Sequence, residues 1–191
     1  MKNLYFKCGT MGSSKSAQAL MTAFNYRQKG HNVLLAKPSI DTRDGKDIIS
    51  SRIGLSAECL VFDIAQNLVQ FVQDNGGADV VIIDEAQFCT KQQIDELKQL
   101  TLKDIVVICY GLKTNFKSEL FEGSKRLLEI AEDVQEFGAV CRCGNRATLN
   151  ARVVDGLVVT TGEEIQIGGD EKYEAMCYEC YQKYQHEKIE D

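Results

Sequence analysis

The run Cys8-Gly9-Thr10-Met11-Gly12-Ser13-Ser14-Lys15-Ser16 follows a short strand-like segment, Leu4 to Lys7, and precedes an amphipathic stretch. Strand, glycine-bearing loop, Lys-Ser and helix is the layout of a phosphate-binding loop. Backbone N–H groups of the tight loop and the open end of the following helix would offer donors and partial positive charge to phosphate. Lys15 would neutralise β- and γ-phosphate oxygens, and Ser16 would ligate Mg²⁺. Ser14 stands where G-x-x-x-x-G-K-[ST] has its second glycine, and a left-handed backbone there would cost a serine about 1 kcal/mol. A plain Gly/Ser turn ahead of a helix is the alternative.

Two further groups carry chemistry. Val80-Val81-Ile82-Ile83-Asp84-Glu85 reads as a buried parallel strand ending in two acids, the pattern of a Walker B strand. Neighbouring strand residues point to opposite sides, so the acids should divide the work. Asp84 would hold Mg²⁺, and Glu85 would accept a proton from an acceptor hydroxyl. Solvent-facing acids at a strand end are the alternative, weakened by a phosphate loop about seventy residues upstream. Cys141-Arg-Cys143 and Cys177-Tyr-Glu-Cys180 form a C-x-C and C-x-x-C pair, and four thiolates suit a closed tetrahedral zinc. Four free buried thiols, or a redox pair at Cys177 and Cys180, fit the same spacing. A metal there would tie together the ends of segment 144–176, which could act as a clasp without a core of its own.

Positioning these groups needs a scaffold. Short β-branched runs alternate with helical patterns, which predicts βαβ units and a parallel sheet. Strands are expected at Lys2–Lys7, Val33–Lys37, Val80–Ile83 and Ile105–Tyr110. Ala17, Leu20, Met21 and Phe24 form the expected apolar stripe of the first helix, with Gly30 capping its end. Further helices are expected over Asp63–Asp74, Lys91–Leu100 and Gly123–Glu132. The polar, aperiodic stretch Pro38–Ala57 reads as a long functional loop. After Phe137 the texture changes to paired cysteines, a hairpin of Ala147–Leu149 with Leu157–Val159, a glycine-bearing loop, a short helix and a charged, frayed tail. The division expected is therefore a core over 1–138 and a smaller unit over 139–191.

Composition narrows the function classes. A chain of 191 residues with 44% hydrophobic content can bury one substantial core and a small appendage. The net charge of −6 disfavours broad binding to nucleic acid, and acids outnumber lysines and arginines within 139–191. No apolar run approaches the roughly 20 residues of a bilayer span, and the N-terminus does not read as a signal peptide, so a cytoplasmic, membrane-free protein is expected. Cys8, Cys59, Cys89 and Cys109 are scattered singly and read as small buried hydrophobes. His31 and His186 read as surface residues.

Taken together, GTMGSSKS, DTRDG, SRIGL, DEAQF, CYGLKTNFKSELF, the CRC pair, IGGDEKY and CYEC resemble the thymidine kinase family of the type with a P-loop core and a zinc-bound lasso. The match extends over nearly the whole chain. It implies an α/β, P-loop NTPase-like parallel sheet flanked by helices, with a small C-terminal zinc-binding lasso domain. The implied reaction moves the γ-phosphate of ATP, with Mg²⁺, to the 5′-hydroxyl of thymidine in nucleotide salvage. The resemblance makes Gly9 to Ser16 the phosphate cradle, with Asp84 and Gln87 on the ATP side, and Glu85 the general base. Asp41 and Arg43 would lie near the reacting phosphate and 5′-hydroxyl, where a guanidinium steadies developing charge. Met11, Phe88, Leu112, Phe116 and Phe121 would surround the nucleoside, and Tyr173 would reach the 3′-hydroxyl. Backbone groups of Gln166, Ile167 and Gly168 would read the base edge, with Cys141, Cys143, Cys177 and Cys180 holding structural zinc. A homotetramer and feedback inhibition by thymidine triphosphate are implied as well. The chain departs from the family at Ser14, at Thr10 (often proline) and in its tighter C-x-C. A phosphotransferase for another acceptor, such as deoxyuridine or a nucleoside monophosphate, a non-catalytic nucleotide-responsive module and a zinc-ribbon nucleic-acid binder are the competing readings.

Overall fold

The structure is a computed structural model that describes residues 3–43, 45–162 and 173–189. Six parallel strands form its central sheet: β1 (Leu4–Gly9), β2 (Val33–Pro38), β5 (Leu60–Phe62), β6 (Val80–Ile83), β7 (Val106–Leu112) and β8 (Asp133–Phe137). Their spatial order is β5-β2-β6-β7-β1-β8. The apolar runs alternate faces with period two, as a sheet covered on both sides requires. Leu34, Ala36, Val81, Ile83, Val107 and Cys109 pack on one face with α2 (Leu68–Asp74), α3 (Lys91–Thr101) and α4 (Glu122–Ile130). Val33, Leu35, Val80, Ile82, Ile108 and Tyr110 pack on the other with α1 (Lys15–Gln28).

The strands β5 and β8 were not expected from sequence. Both are sheet edges; β8 reads DVQEF and is mostly exposed, so it lacks the apolar run that marks an interior strand. Helix α2 starts five residues later than expected, because Asp63 makes a local turn with Ala65 and Gln66 while Asn67 supplies the cap, accepting from the Gln70 amide at 2.9 Å. Helix α3 opens on a capping box between Thr90 and Gln93. The stripe expected on α1 is corrected: Ala19, Leu20 and Ala23 pack on the sheet and Ala17 is buried beside the phosphate cleft, whereas Met21 and Phe24 are 48% and 61% exposed. Small residues on that side let α1 lie close to the strands. The end of α1 behaves as expected, with Gly30 left-handed and the His31 and Gly30 amides donating to Tyr26 and Arg27 carbonyls at 3.2 and 3.0 Å.

Within the polar stretch after β2, expected to be a long functional loop, lies a hairpin, β3 (Ile48–Ser50) with β4 (Ser56–Glu58). After β8, β9 (Ala139–Val140) pairs with β10 (Arg146–Ala147), and β11 (Leu149–Val154) is flanked by β12 (Leu157–Val159) and β13 (Tyr173–Met176). The expected hairpin is thus shifted: Val154 pairs with Leu157, and residues 146–147 serve the other ribbon. This region has a small core of its own, in which Ala151, Val158, Met176 and Tyr181 pack with three of the cysteines, contrary to the coreless clasp expected. The tail is docked through Ile189, whose amide donates to Gly156 at 2.8 Å after α5 (Tyr178–Lys183) ends. Among the described residues no helix is long and apolar enough to cross a membrane.

Candidate active site

Parallel strands present their C-terminal ends at one sheet edge. Phe6 is in register with Cys109 and Cys109 with Ile83, so the loop after β1 and the acids after β6 emerge two strands apart, roughly 10 Å. The loop closes on the Thr10 carbonyl, which accepts from the Lys15 ammonium at 2.7 Å and the Ser13 hydroxyl at 2.8 Å. A Cβ on Gly9 would collide with the Ser13 side chain and sit 2.8 Å from the Phe137 carbonyl, so only glycine fits. Gly12 and Ser14 are both left-handed, at φ 74° and 61°. No side chain caps α1, and its first turn carries no acid, which leaves its amides open toward the loop. The Thr10 hydroxyl oxygen is buried without a hydrogen-bond partner among the described residues. An uncapped helix end, a left-handed turn and an orphaned hydroxyl suit an oxyanion.

Ser14 confirms that its position demands φ > 0. Ser14→Gly should relieve about 1–2 kcal/mol of left-handed strain and lose about 0.4–1 kcal/mol to unfolded-chain entropy. The expected net gain is about 0.5–1 kcal/mol, read as a rise of about 1–4 °C in Tm. An unchanged or lowered Tm would show that Ser14 contributes something glycine cannot.

Asp84 and Glu85 are 3% and 8% exposed, and Glu85 is itself left-handed at φ 53°. A non-glycine residue held there costs on the order of 1 kcal/mol, so its surroundings must over-determine it. Burial and the neighbouring Glu85 push the Asp84 carboxyl up to about 7, against a hydrogen bond from Ser16 and the charge of Lys15. That Ser16 contact joins the two residues expected to hold a cation. Burial pushes the Lys15 ammonium below its ordinary value, opposed by Glu85 and Asp84. Arg43 is held charged, chiefly by Glu85 and despite burial, and its guanidinium bonds Glu85 Oε1 and, at 2.7 Å, Asp41 Oδ1. The cleft between these groups measures ≈ 210 Å³ and is lined by Met11, Gly12, Ser14, Lys15, Ser16, Arg43, Glu85 and Leu112. The hairpin tip Ser50–Ile53 forms its far wall. Arg52 thus lines the site, although the sequence reading assigns it no role; its place in SRIGL is the available signal.

Lys37 was missed as well. This β2 lysine is fully buried, and its Nζ donates to Asp41 Oδ2 at 3.2 Å and to the Gly45 and Ile48 carbonyls at 3.0 and 2.8 Å. It pins the segment that delivers Arg43 to Glu85. Burial alone would raise the Asp41 carboxyl, but Arg43 and Lys37 outweigh it and hold it below the usual carboxylate range. A depressed folded-state value stabilises above the unfolded value of about 3.9 and is lost as pH falls through the folded one. Urea midpoints should therefore drop more steeply below about pH 4 for the wild type than for Asp41→Asn. Parallel curves would show that Asp41 contributes no pH-linked stability.

The expected nucleoside contacts fall into neighbouring groups. Met11 and Leu112 line the phosphate cleft. Phe88 and Phe121 meet edge to face at 5.8 Å and line a second pocket of ≈ 350 Å³. Phe116, 1% exposed, meets Tyr173 at 6.5 Å and carries the Arg152 guanidinium over its ring at 5.6 Å. Gln166, Ile167 and Gly168 lie outside the described residues. The Gln87 side chain turns inward, onto Glu85 Oε2 and the Leu112 amide. Asn150 on β11, not foreseen, accepts from the Met11 amide at 2.8 Å and donates to the Thr114 carbonyl at 2.9 Å, joining the C-terminal region to the phosphate loop.

The sulfurs of Cys141, Cys143, Cys177 and Cys180 lie within 4.8 Å of one another, and all four cysteines are free. Cys143 and Cys177 are 3.6 Å apart, far beyond a disulfide bond and near the ~3.8 Å sulfur–sulfur edge of a Zn–S₄ tetrahedron. The Cys180 amide points at Cys177 Sγ, 3.5 Å away. Although burial opposes it, backbone amides of Cys143 and Cys177 bring the Cys141 thiol down to about 7. This donor set fits zinc.

Comparison with known proteins identifies the family. The family profile described as "Thymidine kinase" matches residues 2–181. A thymidine kinase from Rhodopirellula baltica is 39% identical over 100% of this chain and 93% of its own length. One from Shewanella oneidensis is 38% identical over 96% and 98%, and one from Mannheimia succiniciproducens is 41% identical over 93% of each. Among solved structures, AMPPCP-bound DnaA from Aquifex aeolicus aligns over 72% of the chain and 40% of its own, at 16% identity and a TM-score of 0.43. With a full-length match in sequence and a phosphate loop, paired acids and four gathered cysteines in place, the chain belongs to the thymidine kinase family.

Proposed function

We propose that the protein transfers the γ-phosphate of ATP to the 5′-hydroxyl of thymidine, supplying a DNA precursor by salvage. The observation that best supports this is the meeting of Lys15, Ser16, Arg43 and Glu85 on one cleft, with Leu112 on its acceptor side. Loop amides from Gly9 to Ser16 and the Lys15 ammonium hold the β- and γ-phosphates. Ser16 and Asp84 would hold Mg²⁺, which when bound neutralises charge on those phosphates. Glu85 is the general base. Each carboxylate oxygen carries two lone-pair sites, so Arg43 and Gln87 leave room for a hydroxyl to donate. As the phosphorus–oxygen bond to the acceptor 5′-oxygen forms, the bond to the β-phosphate oxygen breaks, and the hydroxyl proton passes to Glu85. Arg43, steadied by Asp41, sits beside the charge that develops.

Met11, Phe88, Leu112, Phe116, Phe121 and Tyr173 form the nucleoside side, with the backbone of Gln166–Gly168 reading the base. Cys141, Cys143, Cys177 and Cys180 hold structural zinc. The lasso unit of 139–191 closes on the 1–138 core through Asn150 and through the Tyr181 hydroxyl, which donates to the Phe116 carbonyl at 2.7 Å. A cytoplasmic homotetramer inhibited by thymidine triphosphate completes the proposal; assembly would cover exposed Met21 and Phe24. The test is transfer of labelled phosphate from ATP-Mg²⁺ to thymidine beside deoxyuridine, deoxycytidine, deoxyadenosine and thymidine monophosphate. Preference for thymidine supports the reading, and transfer favouring another acceptor, or none from folded protein, overturns it.

A further inference from the structure

Glu85 leaves β6 in a left-handed turn, and its carboxylate is gripped from two sides. Arg43 reaches Oε1 from a segment outside the sheet, whereas Gln87 reaches Oε2 from the short 3-10 turn Ala86–Phe88 that follows β6. Gln87 is 2% exposed, and both polar atoms of its side chain are engaged by protein groups. Its Nε2 donates to Glu85 Oε2, and its Oε1 accepts the Leu112 amide at 3.0 Å. The orientation of the side-chain amide follows from its partners, because only an oxygen can accept from the Leu112 N–H and only an NH₂ can donate to a carboxylate.

The surrounding backbone is cut to fit this bridge. A Cβ on Gly111 would stand 2.6 Å from Gln87 Oε1 and 3.1 Å from the Gln87 backbone nitrogen. A Cβ on Gly123 would stand 2.6 and 2.7 Å from the Ala86 and Cys89 carbonyls, so the start of α4 closes on the same turn. Leu112, whose amide the bridge engages, also lines the cleft that Glu85 faces. The bridge therefore fixes the carboxylate relative to the acceptor side of the site.

We propose that Gln87 is a positioning residue, which fixes the Glu85 carboxylate to the end of β7 and thereby sets turnover rather than substrate affinity; this rests on Glu85 being the general base. On this reading Gln87 acts through its hydrogen bonds to Glu85 and Leu112 rather than through ATP. Gly111 is glycine because the Gln87 oxygen occupies the space a methyl would take.

The experiment measures kcat and both KM values on full-chain, metal-loaded protein for Gln87→Met, Gly111→Ala, Glu85→Gln and the Gln87→Met/Glu85→Gln pair. Gln87→Met keeps length and burial but loses both hydrogen bonds, and should lower kcat about tenfold or more with each KM within about threefold. Gly111→Ala, which displaces the Gln87 oxygen by sterics alone, should act in the same direction and keeps the idea testable if Gln87→Met fails to fold. Added to Glu85→Gln, Gln87→Met should change nothing further, because a group acting only through the carboxylate has nothing left to position. A Gln87→Met that raises the KM for ATP at unchanged kcat, or that lowers the residual rate of Glu85→Gln by its full factor, overturns the proposal. Glu85→Gln turning over near the wild-type rate overturns the base assignment first, and the positioning role with it.

Discussion

Glu85→Gln is expected to bind ATP and thymidine about as well as the wild type and to turn over at least about 10²-fold more slowly. Among the described residues that line the cleft, Glu85 is the one carboxylate, the group suited to take a proton from an acceptor hydroxyl. Arg43 and the Gln87 amide both donate to it, so a glutamine at this position must present its own NH₂ to one of those donors. The fold should survive, because Arg43 keeps its 2.7 Å partner in Asp41 and Lys37 still pins the segment. Single-turnover transfer, with Tm measured alongside, separates loss of chemistry from loss of structure. Turnover within about threefold of wild type would remove Glu85 as the base, since a positioned base is worth two orders of magnitude or more.

Stripping the metal from the four-cysteine cluster should weaken thymidine binding about tenfold or more, while ATP binding changes less. The cysteines join the β9–β10 turn to the start of α5, and so tether both ends of the segment carrying Asn150 and Tyr173. Without a cation the gathered thiols lose what holds them together, and a region with only a small core must rely on that core alone. ATP should be affected less, because the phosphate loop closes on its own Thr10 carbonyl and, among the described residues, its hydrogen bond to the C-terminal region is the Asn150 contact to Met11. Calorimetric titrations of chelated and zinc-restored protein would measure both affinities. Equal affinity for thymidine with and without metal would sever the link between the cysteines and the nucleoside site.

Much of the chemistry was legible because it is written in contiguous motifs. The phosphate loop needs glycine and lysine at set intervals along one turn, and the acids need only to end a buried strand. Ser14 is instructive: its cost could be estimated from the motif, and the structure places it at φ 61°. The cysteines were legible as pairs because each pair is a local turn, although nothing in their spacing required the four sulfurs to meet. The interior strands were legible as apolar runs. The edge strands β5 and β8 were not, since an edge strand is defined by a neighbour on one side and carries a weak pattern of its own.

What the amino-acid order determined by itself is the set of reacting groups and the βαβ scaffold, because those follow from local turn geometry and the period of apolar residues. Which groups act on one another was decided by strand order. Placing β7 between β1 and β6 sets Leu112 and Gly111 beside Gln87, and packing β11 against the loops sets Asn150 on Met11. The same holds for Lys37, which the sequence marks only as the end of a strand and which becomes the buried anchor of Asp41 once the hairpin folds over it. Met21 and Phe24 fit the apolar period of α1 yet stay exposed, because the sheet meets that helix along its alanines. Periodicity tells which residues share a face, but only the partner elements, brought together over many residues of chain, decide which face is covered and what a buried polar group must bond.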